Sequence, residues 1–129
     1  SNSFTEAKLR VLNGEIEYYR NKVNAEKFDT AVSFYNAGIA KLNRYIAFRN
    51  NQFKPEMDST RVVQMLDSTE FLFNSAAEKI GEIREPDVNA VGPVIELNNA
   101  ISASLKVLNE QRTSYQAPSN TNAKRLMYK

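Results

Sequence analysis

The side chains of this sequence that suit acid–base or metal chemistry are two pairs of carboxylates. Asp67 lies three residues before Glu70, and Glu78 lies four residues before Glu82, so the members of each pair are neighbours on a helix. Such pairs can share a proton or bind a hard cation. The 129 residues contain no His and no Cys, which removes imidazole bases, di-iron ligands and thiolates. We therefore interpret the carboxylates as surface acids and predict no enzyme, no metal and no cofactor.

A second group of residues suits the binding of an anion or a partner. The predicted interaction face comprises Asn36, Lys41, Asn43, Arg44, Tyr45, Phe48, Arg49 and Asn50. Interleaved cations and aromatic rings can bind phosphate and stack on bases, and amides spaced seven residues apart can donate to and accept from a partner. The alternative is a solvated face, or one paired with residues 56–85, which carry seven acidic and three basic side chains. We favour this alternative.

Apolar periodicity indicates that helices position all of these residues. Apolar side chains recur at steps of three and four in four segments, residues 4–25, 28–53, 58–84 and 93–115. The stripe changes phase within residues 24–29, and prolines at 55, 86 and 93 mark the later junctions. Because no Gly or Pro interrupts the first junction, one bent helix over residues 4–53 is the alternative.

The predicted fold is all-α, an up-and-down four-helix bundle in which the second and third helices form a long central hairpin. Residues 1–129 are predicted to form one domain, since a chain of this length suits a single core. Residues 116–129 lack periodicity and are predicted to be an irregular tail. Residues 1–3, Ser-Asn-Ser, are interpreted as an expression scar joined to a native segment that is cut downstream of its true start.

One short segment carries a family resemblance. Residues 28–37 place Ala31 four residues before Tyr35 in a helix that leads to Pro55. The segment resembles the second helix of a tetratricopeptide repeat, and the resemblance implies a concave helical groove that binds peptides. The chain has no Trp and shows no 34-residue period, so a plain bundle of long helices is favoured over a repeat array. The whole pattern is similar to uncharacterised helical-bundle families of bacterial genomes, which implies no activity.

These features predict a non-enzymatic protein that acts in protein–protein interaction or as a structural module. The predicted partner is a protein or peptide, including a second copy of the chain; the alternative function is binding of a small ligand or polyanion at the basic aromatic face. A net charge of +2 is too balanced for a typical nucleic-acid binder. No run approaches the roughly 20 apolar residues that cross a bilayer. We favour an exported or periplasmic bacterial protein, because a signal peptide fits the missing start.

Overall fold

Three helices account for the residues that the structure describes. The computed structural model describes the backbone of residues 2–51 and 59–127, and side chains for residues 5–50 and 59–115. Helix α1 spans Asn2–Asn51, α2 spans Ser59–Gly81 and α3 spans Val88–Met127. The predicted all-α class is confirmed, but the described residues form three helices where four were predicted.

The first two predicted helices are one continuous helix, α1, so the predicted junction at residues 24–29 is wrong. Asn24, Ala31 and Tyr45 are buried on one face of α1, at multiples of seven residues. Ile16 and Val23 each lie one residue before that series, about 100° round the helix, and they are exposed. The apolar pattern therefore changes phase because the exposed stripe in the first part of α1 lies on a different side from the buried face of the second part. Such a change of side produces the same sequence signal as a break in the helix.

The short connection between α2 and α3 lies earlier than predicted. α2 ends at Gly81 rather than near residue 84, and α3 begins at Val88 rather than at Pro93. The backbone carbonyl of Asp87 accepts from the amide of Ala90 at 2.8 Å, which closes the first turn of α3. The start therefore depends on a turn at Asp87, and Pro93 lies inside the helix.

The predicted irregular tail is also wrong, because α3 continues to Met127. An apolar stripe shows that a helix has an apolar face, and a segment without such a stripe can still be helical. The lack of periodicity after residue 115 therefore does not predict the end of the helix. The predicted end of the first hairpin helix, at residues 53–55, lies outside the described residues.

The second half of α1 and α2 form the predicted antiparallel hairpin, and α3 packs against it. The fully buried ring of Phe73 in α2 contacts Gly38 of α1, where an added Cβ would lie only 2.6 Å from the ring. The ring of Tyr35 lies 6.0 Å from the Phe73 ring, centroid to centroid. Ile101 and Leu108 of α3 complete this core. The hairpin thus closes most tightly where α1 has no side chain.

The turn after α2 is fastened to α1 by hydrogen bonds from one buried amide. Nδ2 of Asn24 donates to the carbonyl oxygen of Arg84 at 2.8 Å, and Oδ1 of Asn24 accepts from the Arg84 amide at 3.3 Å. The next residue, Glu85, adopts a left-handed φ of 45°, and its carboxylate pairs with Arg20 at 2.9 Å. Every residue from 5 to 19 is exposed. We call residues 5–23, which extend beyond this turn, the arm.

Candidate interaction site

The structure places one part of the predicted interaction face in a polar line on α1. Asn36, Asn43 and Asn50 are exposed, and residues seven apart on a helix lie on nearly the same side. Their amides are accessible to solvent along about four turns. The proposed role of this line in binding stays a prediction.

The cations of the predicted face lie apart from the asparagine line. Lys41 and Arg44 are exposed, and Phe48 is half-buried. Lys41 lines a shallow groove with Asp67 and Phe71 of α2, so an acidic residue of the next helix does lie nearby. None of the ion pairs in the described part of the chain involves Lys41 or Arg44.

The remaining two residues of the predicted face lie towards α3. Tyr45 is fully buried. The guanidinium of Arg49 donates from Nη1 to Oε1 of Gln111 at 2.6 Å and from Nη2 to Oγ of Ser114 at 2.7 Å. Arg49 therefore joins α1 to α3, and Tyr45 belongs to the core.

The Tyr45 hydroxyl is buried with no hydrogen-bond partner among the described atoms. A buried polar group without a partner costs about 1–3 kcal/mol. We therefore expect Tyr45→Phe to raise the free energy of unfolding by about 1 kcal/mol, measured by urea titration at neutral pH. The matched control is Tyr18→Phe, which removes a hydroxyl from an exposed ring and is expected to change stability by less than about 0.5 kcal/mol.

The effect of Tyr45→Phe on the free energy of unfolding is expected to depend on pH. Burial raises the pKa of Tyr45, an effect that the nearby Arg49 charge opposes and Tyr115 adds to. An unfolded Tyr loses its proton near pH 10, so above that pH the native state holds more protons than the unfolded state and stability falls. The contribution of Tyr45 to the free energy of unfolding is therefore constant below about pH 10, and it falls as the pH rises from there through the pKa of the folded state. Tyr45→Phe is expected to make the alkaline fall shallower; an unchanged fall would contradict this.

Of the carboxylates singled out in the sequence, Asp67 and Glu70 join two helices, Glu82 pairs locally, and Glu78 is exposed. Arg112 of α3 donates from Nη2 to Asp67 at 2.8 Å and to Glu70 at 2.6 Å, so these two acids share a cation. Glu82, the first residue after α2, pairs with Lys79 of α2 at 3.3 Å. In the described residues no group of three or more His, Cys, Asp or Glu side chains is arranged to hold a metal ion.

The arm of α1 carries seven of the thirteen large apolar side chains that are exposed among the described residues. Its apolar stripe consists of Leu9, Leu12, Ile16, Tyr19 and Val23, whose exposed fractions run from 44% to 62%. Their spacing of three, four, three and four residues places them along one side of the helix. These five residues form what we call the arm stripe. Its members face solvent although they repeat as regularly as residues of the core.

A groove of about 360 Å³ lies on another side of the arm's base. Phe28, Ile83, Pro93 and Val94 supply most of its apolar lining, with Asn21 and Asp87 at its polar edge. It lies between α1 and the turn that leads into α3. The groove is open and shallow, and its lining offers surface for a partner's side chain.

Together these features define an all-helical protein with a three-helix body and a projecting helical arm. Comparison with protein families, curated proteins and solved structures finds no match to this chain. In the part of the chain that is described, no helix combines the length and the apolarity needed to cross a bilayer.

The apolar period of residues 4–25 includes the residues of the arm stripe, and it was assigned to the first helix of a four-helix bundle. Periodicity shows that a helix has an apolar face, not whether that face is covered. A usable signal was present: Ile16 and Val23 are out of phase with Asn24 and Ala31, so both sets cannot face the same neighbour. No sequence pattern predicts the ion pairs of Arg112 with Asp67 and Glu70, since more than 40 positions separate Arg112 from each of them.

Proposed function

We propose that this chain is a non-enzymatic interaction module, or structural module, that docks on another protein through the arm stripe. The observation that supports this most directly is the exposure of five regularly spaced apolar side chains on the arm. Contiguous apolar surface on a protein marks a place where something else binds. The occupant is proposed to be helical, because stripes with this spacing fit helix-in-groove or coiled-coil contacts.

The energetics of the arm support the proposal. Helices in isolation gain little from backbone hydrogen bonds alone, and segments of fewer than roughly 15 residues are marginal in water. Residues 5–19 are exposed on all sides, and Gly14 within them weakens a helix by up to about 1 kcal/mol. Covering the stripe would supply the apolar burial that the arm lacks, at roughly 25 cal/mol per Å².

The alternative, a small-ligand or polyanion site at the basic aromatic face, has less support. Arg49 is hydrogen-bonded to α3 and Tyr45 is buried. Lys41 and Arg44 remain on the surface, and the shallow groove beside Lys41 also contains the acidic side chain of Asp67. An electrostatic site for a polymer uses several cations along one groove.

Two equally exposed positions allow a matched test of the arm. Tyr19 belongs to the arm stripe, whereas Val11 lies off it; the exposed fraction of each side chain is 62%. A photoreactive phenylalanine analogue placed at either position in cells would react with any protein within reach. We expect covalent protein adducts from position 19 and markedly fewer from position 11.

The adducts also report the kind of partner. An adduct of twice the 14.6 kDa chain mass indicates a second copy, and any other mass indicates a different protein. Adducts in equal yield from both positions, or from neither, would contradict docking through the arm stripe.

A further inference from the structure

We propose that the arm stripe binds the arm of a second copy of this chain, in a short antiparallel two-helix coiled coil. This inference rests on the proposed function and specifies its partner. Three observations support it. The stripe has the spacing of a coiled-coil seam, and the space beside the arm is open beyond the end of α2. Opposite charges along the arm also meet when two copies are related by two-fold symmetry.

The arm stripe has the spacing of a coiled-coil seam that ends with the arm. From Leu9 to Val23 the positions alternate between steps of three and four, as in a heptad seam. The next two seam positions are Glu26 and Thr30, which are exposed and polar. The apolar seam therefore stops where the three-helix body begins.

The position of α2 indicates which way the partner runs. Ile16 lies eleven residues, or about three turns, before Lys27, and Lys27 donates from Nζ to the carbonyl oxygen of Glu82 at 3.1 Å. Ile16 therefore lies within about 20° of Lys27 round the helix, on a side of α1 where Lys27 contacts the turn that follows α2. A partner helix beside the arm lies beyond the end of α2. If it is antiparallel to α1, as α2 is, its own body lies at the far end of the arm.

A parallel partner would meet obstacles at the same place. In an in-register parallel pair the two bodies would lie side by side, and the carboxylate of Glu26 would face Glu26 of the second copy. The flanking residues of a parallel coiled coil meet at a spacing of five, which places Glu15 beside Arg20 but Lys22 beside Lys27 of the second copy. The like charges at Glu26 and at Lys22 oppose a parallel association.

The antiparallel pairing brings opposite charges together. When Leu12 faces Val23 of the second copy, Ile16 faces Tyr19 of the second copy. The flanking residue Glu15 then lies beside Lys22 of the second copy, and two-fold symmetry makes this contact twice. An isologous interface requires such a self-complementary surface, and the charge order along the arm meets that requirement.

Light scattering behind a sizing column, over a dilution series, tests whether the arm self-associates. We expect a mass of twice 14.6 kDa for the natural sequence and a monomer for Ile16→Glu, with unchanged circular dichroism of the body. The matched control is Val11→Glu, since Val11 is equally exposed, at 62% against 54% for Ile16, but lies off the stripe. The control is expected to remain a dimer.

A charge exchange tests the antiparallel register. Glu15→Lys is expected to weaken dimerisation by about tenfold, because it turns two flanking attractions into repulsions. Adding Lys22→Glu to the same chain is expected to restore the affinity. The chain has no Cys, so Val23→Cys tests the direction: this residue would form a disulfide with its own copy only in a parallel pair, since the antiparallel pairing separates the two by about 17 Å along the axis.

Several outcomes would overturn the inference. These are a monomer at every concentration up to about 1 mM, a dimer that Val11→Glu disrupts as much as Ile16→Glu, and a Val23→Cys disulfide. A monomer whose position 19 still forms adducts with another protein would refute self-pairing while the proposed function stands. A monomer without adducts would refute both.

Discussion

Substitution of Gly38 by Ala is expected to lower the free energy of unfolding by about 2 kcal/mol. A Cβ at this position would lie 2.6 and 2.7 Å from two carbons of the Phe73 ring. The ring is fully buried, so it cannot turn away without moving its neighbours. Forcing an extra methyl into a packed core costs roughly 1–3 kcal/mol, which exceeds the gain of up to about 1 kcal/mol in helix propensity from replacing Gly.

Two further variants make this prediction specific. Gly14→Ala places the same methyl in the same helix where nothing lies within 4 Å, and is expected to stabilise the arm by up to about 1 kcal/mol. Phe73→Leu on its own is expected to be destabilising, because it removes buried volume, but it should reduce the cost of Gly38→Ala in the double variant. Urea titration of the natural sequence, Gly38→Ala, Phe73→Leu and the double variant measures the coupling free energy between the two positions. Additive effects of Gly38→Ala and Phe73→Leu would show that the contact does not carry the cost.

Substitution of Asn24 by Ala is expected to lower the free energy of unfolding by about 2–3 kcal/mol. Its side chain makes two hydrogen bonds to the backbone of Arg84, and it is 7% exposed. The variant leaves a donor and an acceptor of the turn without partners, each at a cost of about 1–3 kcal/mol where water does not replace the bond. The effect on α1 itself is small and favourable, since Ala is the better helix former.

Hydrogen exchange along the chain distinguishes the loss of the two hydrogen bonds to Arg84 from a general loss of stability. Hydrogen exchange is expected to rise first in the turn between α2 and α3, where the Arg84 amide loses its acceptor. Asn36→Ala is the control, because Asn36 is exposed on the same helix and should change stability by less than about 0.5 kcal/mol. If both variants unfold alike, or if exchange in the turn is unchanged, the bonds to Arg84 do not stabilise the native state.

The helical class and the central hairpin were predictable because both depend on local pattern. The heptad of α2, with Val62, Leu66, Thr69, Phe73 and Ala76 all buried, was predicted from spacing alone. The start of α3 was not, since it depends on the backbone of Asp87, and the periodic stripe begins one turn later. The course of α3 beyond residue 115 was missed because this segment has no apolar period, and a helix does not require one.

The candidate site was predictable only in composition. The exposure of Lys41 and Arg44 agrees with the solvated interpretation, but the inward position of Arg49 depends on Gln111 and Ser114 of a distant helix. Such contacts have no sequence signal in a single chain. Whether the arm stripe is covered depends on where α2 ends, which is a property of the assembled fold.

The one-residue offset between the arm stripe and the buried face of α1 also fixes how the hairpin aligns. If α2 slid along α1 by one heptad towards the arm, Glu17 would take the place of Asn24 and Ala31 the place of Gly38. The first exchange would set a carboxylate against the carbonyl of Arg84, and the second would press a methyl group into the Phe73 ring. A long helix with a uniform stripe would allow such slippage. Here the arm can be long and apolar without offering α2 a second place to bind.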